Sequence, residues 1–183
     1  ANMVFSDLVA TMGPDNPRSG PSNLLIEGTI NSAQNAGDML RSGKPVSKVD
    51  VQNVFMAVAA LKKAESALRA SYKDGFNELK ADIESTGRAM ESEMKLRERI
   101  AVLNNTDSIT DPGGNKPNMK IDPDAVLKIA HGKAMAELTK DGKSLVTVSQ
   151  AKINDAVKTE LDNAYKAFDP DNAARRKDVG AKL

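Results

Sequence analysis

Histidines, cysteines, paired carboxylates and glycine-rich turns carry most protein chemistry; in this chain of 183 residues paired carboxylates are abundant, but none is set apart by an apolar cleft readable in the sequence, and the other groups are scarce or lack a motif. Cysteine is absent, which removes disulfides, thiolate metal sites and thiol nucleophiles together. The one histidine, His131, stands beside Gly132 in a helical pattern with no partner motif, and reads as a surface or boundary residue. The acidic loop around Asp107 and Asp111 lacks the D-x-[DN]-x-[DN]-G spacing of a calcium loop and has no glutamate at its twelfth position. Gly113-Gly114-Asn115-Lys116 lacks the spacing of a phosphate loop, and no G-x-S-x-G turn offers a nucleophile. The residues therefore predict no catalytic, cofactor-binding or metal site, and a protein that is not an enzyme.

Charge narrows the partners. Lys and Arg number 26 against 25 Asp and Glu, a net charge of +1, which argues against a non-specific nucleic-acid binder. Arg175-Arg176-Lys177 is the one basic cluster and the weak remaining route to nucleic acid, without interleaved aromatics. No apolar run approaches the ~20 residues of a membrane span. A start at Ala1 fits removal of an initiator methionine or of a leader equally. Nothing fixes a location, and a soluble chain is compatible with a virion, a cytoplasm or a secreted assembly.

The elements that would carry any function are helical. Residues 1–22 read as an arm and linker. Val4, Phe5, Leu8, Val9 and Met12 form an apolar patch, and Gly13 to Pro21 holds three prolines and two glycines. Ser22 or Asn23 suits the cap of a helix from Leu24 that ends before Gly43 and Pro45. From Ser47 to Leu103 there is no proline, and apolar residues recur at three and four. Val51, Val54, Val58, Leu61, Leu68 and Tyr72 run nearly in heptads, with Glu65 intruding, before the stripe shifts at Gly75 to Phe76. The pattern predicts either one long helix over about 47–103 or a hairpin broken near Gly75 or Gly87. Its charged residues Glu91, Glu93, Lys95, Arg97, Glu98 and Arg99 read as a solvated face.

Residues 104–123 read as an irregular loop. Asp122-Pro123-Asp124 then opens a helix over about 124–140, and Ser149 caps another over about 149–168. Leu145 to Val148 is the only β-like run, suited to a minimal ribbon with Met119 to Ile121 or to an extended lead-in. Residues 170–183 form a tail. The fold class expected is all-α: an elongated helical bundle or long-helix rod, one helical domain over 23–169, with extended N- and C-terminal arms.

The functional expectation follows composition. A cysteine-free, tryptophan-free helical chain with eight methionines suits adaptable helix packing. It reads as a non-enzymatic structural subunit of a larger assembly, such as a phage virion component or a bacterial export rod or filament. The alternative is a helical adaptor or chaperone-like module. Partners are expected to be proteins, copies of itself or other assembly subunits. The residues expected to meet them are Val4, Phe5, Leu8, Val9, Met12, Val54, Val58, Leu61 and Leu68.

Overall fold

The computed structural model describes residues 19–109 and 120–168. The first eighteen residues and those from 169 onward, with most of the expected arm and the expected tail, lie outside the described residues; residues 19–22, expected as linker, are helical. The class is all-α. Six α-helices are described: α1 Ser19–Arg41, α2 Lys48–Lys63, α3 Glu65–Tyr72, α4 Phe76–Ile109, α5 Pro123–Thr139 and α6 Gln150–Ala167. Short 3-10 turns occupy Lys73–Gly75 and Leu145–Thr147, and the described residues contain no strand. Where the sequence reads as one helical domain, the chain divides into two compact units, Ala1–Arg88 and Ala89–Leu183, with α4 contributing residues to both.

In the first unit, α1 starts at Ser19, ahead of the expected Leu24, with Pro21 in its first turn, where a missing N–H costs nothing. Ile26, Ile30, Ala33, Ala36 and Leu40 are its buried stripe. It ends as expected. Gly43 adopts φ 76°, and the N–H groups of Gly43 and Lys44 donate to the carbonyls of Leu40 and Met39, closing the last turn. Ser47 then starts α2 with a reciprocal capping box. Its hydroxyl accepts from the Asp50 N–H at 3.2 Å, and Asp50 Oδ2 accepts from the Ser47 N–H at 2.9 Å.

The long helix expected over 47–103 is not formed. Ala64 interrupts it mildly at φ −107°, yet hydrogen bonds still run from Ala64 N–H to Ala60 and from Leu68 N–H to Ala64. The true break is Lys73–Gly75. A Cβ on Gly87 would lie 3.3 Å from Val54 Cγ1, whereas a straight helix would hold these residues about 50 Å apart. The chain therefore reverses, and α2–α3 packs against the start of α4. That close approach selects small residues. The buried register on α2–α3 is Val54, Ala57, Leu61, Ala64 and Leu68, while Val58 is half-buried and Glu65 turns away to pair with Arg69.

The second unit contains residues 89–109 of α4 together with α5 and α6, which pack along one another. Met90, Leu96, Ile100, Leu103, Leu127, Val157, Leu161 and Phe168 are buried there. Asp122 caps α5 by accepting from the Asp124 N–H, with Pro123 as its first residue. Ser149 caps α6, accepting from the Lys152 N–H at 3.3 Å. Two expectations are corrected. Residues 104–109 extend α4 and do not belong to a loop. Leu145 to Thr147 is a 3-10 turn, and Ile121 is no ribbon partner for it: the Ile121 backbone is bound at both N–H and carbonyl by the Asn104 side chain, at 2.8 and 2.9 Å.

Candidate functional site

Each unit buries polar side chains, and the two do so differently. In the first unit, Arg41 Nη1 donates to Asp82 Oδ1 at 3.0 Å, with side chains only 11% and 7% exposed. Arg41 Nη2 also donates to Asp38 at 2.6 Å. Thr86 Oγ1 donates to the Asp82 carbonyl at 2.8 Å, as does Ser85 Oγ at 2.9 Å. The guanidinium reaches Asp82 by lying over Gly37, where a Cβ would meet Arg41 Nη1 and Thr86 Oγ1 at 3.0 Å each. Near the end of α3, burial and then the Glu27 carboxylate push the Tyr72 hydroxyl pKa up.

In the second unit, Glu93 is 2% exposed, so the solvated face expected there is in part a buried one. Its carboxylate lies 3.7 Å from Arg97, which also reaches Asp124 at 3.2 Å, while Arg99 Nε donates to the Phe168 carbonyl at 2.8 Å. Burial raises the Asp162 pKa, but hydrogen bonds from Lys158 and Ser92 outweigh it and hold that carboxyl below its ordinary range. His131 is the exception. It is 7% exposed, against the surface or boundary position expected of it, and neither ring nitrogen has a hydrogen-bond partner among the described residues. Burial lowers its pKa. It lies on the inner face of α5, among Leu127, Ala130 and Ala134, because the apolar stripe of that helix includes its position.

Among the described residues, no cluster of three or more histidine or acidic side chains is placed to hold a metal ion. An open depression lined by Lys143, Thr147, Val148, Ser149 and Lys152 borders the start of α6. No described helix is long and apolar enough to cross a membrane.

What the described surface does present is apolar side chains. Phe55 is 50% exposed on α2, in line with Gln52, Ala59 and Lys63, while the other two described phenylalanines, Phe76 and Phe168, are buried. Leu25 and Val49 are exposed in the same unit; Val102, Ile129 and Val146 are exposed in the other. Of the residues expected to meet partners, Val54, Leu61 and Leu68 instead fill the core of their own unit, and Val58 is half-buried. Val54 is core because Gly87 lets α4 come into contact with it. Val4, Phe5, Leu8, Val9 and Met12 lie outside the described residues, as do Arg175, Arg176 and Lys177. Phe55 escaped sequence reading because it sits inside the dense run Val54 to Leu61. The signal was its place one residue off the core register, about 100° around the helix from Val54. The chain matches no protein-family model, no curated protein and no solved structure.

Proposed function

We propose that this protein is a non-enzymatic structural subunit that joins a larger assembly through its helices, in the manner of a virion component or an export rod or filament. The observation that carries the reading is Phe55. A half-exposed phenylalanine leaves apolar surface in water that a neighbouring helix would bury, and aromatic anchors of this kind dominate the energy of protein interfaces. Ala59, exposed one turn further along α2, leaves room beside it for a close-packed partner helix. The adjoining Lys62 and Lys63 are exposed and supply a polar rim.

Sedimentation velocity over a concentration series tests this. The full chain is expected to form oligomers that Phe55→Glu reduces to monomer, with the thermal midpoint unchanged at dilutions where the parent is also monomeric, because the substituted side chain faces water in the isolated chain. A chain that is monomeric throughout, or a Phe55→Glu variant that assembles like the parent, overturns the reading.

A further inference from the structure

The reversal at Lys73–Gly75 is held in a conformation that its residues do not prefer. Lys73 has φ 51° and ψ −122°, the first central position of a type II′ turn, which glycine normally fills. It is the only non-glycine residue with positive φ among the described residues. On either side the backbone is already helical: Tyr72 is at φ −94°, ψ −15° and Phe76 at φ −63°, ψ −45°. The junction has no side-chain cap. Rotation at Lys73, with small adjustments beside it, would therefore merge α3 and α4 into one helix. No proline opposes that helix, and a Cβ on Gly75 meets nothing within 4 Å.

One side chain holds the bend closed. Arg69 pairs with Glu65 at 2.9 Å on its own helix, then crosses the break to lie 4.5 Å from the Phe76 ring centre and 3.2 Å from Asn77 Oδ1. Opening breaks that clasp and strips α4 of its cover, because Arg41–Asp82 and Val54–Gly87 both span from α1–α2 to residues 76–88. A second copy restores all of these contacts if the two chains exchange arms. Short hinges under strain favour such exchange.

Resting on the assembly reading above, the geometry points to a second copy of this chain as the partner of the opened hinge: α1–α3 of one molecule packs on residues 76–88 of the other, with α3 and α4 continuous in each. Val54 then becomes a contact between molecules. The Lys73 conformation is released twice per dimer, each release favouring exchange on the order of ten-fold.

Paired nitroxide labels on Val49→Cys and Ala81→Cys, both exposed positions away from the Phe55 stripe in a chain without native cysteine, read the hinge directly. With unlabelled chain in excess, only the distance within one molecule is seen. In dimers isolated after long incubation at high concentration it is expected to lengthen to about 48 Å, the span of some thirty residues of helix. In the monomer it stays short. Lys73→Gly, which suits the bend, is expected to weaken the dimer on the order of a hundred-fold, and Gly75→Ala to tighten it several-fold. A chain that remains monomeric, a dimer with the short distance, or a dimer constant indifferent to Lys73→Gly overturns the proposal. Assembly through Phe55 with the short distance retained overturns only the exchange. Arm-exchanged dimers that persist in Phe55→Glu overturn only the Phe55 reading.

Discussion

The first unit buries a charged pair and surrounds it with partners, whereas the second buries an imidazole that none of the described residues binds. Desolvation penalises both. In the first it is offset by a geometry that places Arg41 between Asp82 and Asp38; in the second the cost stands. Polar burial thus makes the first unit sensitive to losing either partner and the second sensitive to pH.

The largest effect is expected at Arg41. Arg41→Met takes the guanidinium from buried Asp82, and should cost about 3 to 5 kcal/mol, a fall in melting temperature of about 10 °C or more. Adding Asp82→Leu should recover most of that, since an apolar pair needs no solvation. A double variant no better than the single one would mean the pair is not the unit of stability. Gly37→Ala comes next. Its methyl group would displace the guanidinium from Asp82, and a loss of about 1 to 3 kcal/mol is expected in urea unfolding. On the same helix Gly28→Ala meets nothing within 4 Å and should stabilise by about 0.5 to 1 kcal/mol, which makes it the internal control.

The smallest effect belongs to His131 and depends on pH. Its folded pKa lies below the ordinary 6.5, so the unfolded chain takes up a proton that the folded chain refuses. Above that ordinary value the group contributes no pH dependence. As pH falls below it, stability declines by up to about 1.4 kcal/mol per unit until the lowered folded value is passed. His131→Leu should therefore be no less stable than the parent at pH 7.5 and should pull ahead of it by pH 5.5. Parallel decline of the two in urea titrations at both pH values would exclude His131 as the sensor.

Much of this architecture is legible in the residues, and what is not has local causes. Ser47, Asp122 and Ser149 announce helix starts because capping depends on neighbours within three residues. Gly43 announces a stop because its positive φ suits no other residue as well. The reversal was legible only as one of two alternatives. Gly75 marked the shift of the stripe, but the strained residue is Lys73, whose type gives no warning. The core register of α2–α3 was misread because Ala57 and Ala64, both buried, carry little hydrophobic weight, and the close approach at Val54 depends on Gly87, some thirty residues away in sequence. Arg41 resembles an ordinary surface charge until its partner Asp82 on another helix is known, and Glu93 until its side of α4 is seen to be covered. His131 was obscured by the expectation that a lone histidine avoids the interior.

The two bonds between Asn104 and Ile121 have a consequence for what the chain tolerates. One side chain fastens the point where α4 nears its end to the point just before α5 begins, so the intervening sequence bridges two anchors already tied together. Lengthening such a bridge costs only the entropy of a larger closed ring, about 0.6 kcal/mol for each doubling. The clasp at Asn104 and Ile121 thus sets the spacing between the end of α4 and the start of α5 without calling on the length of chain that joins them.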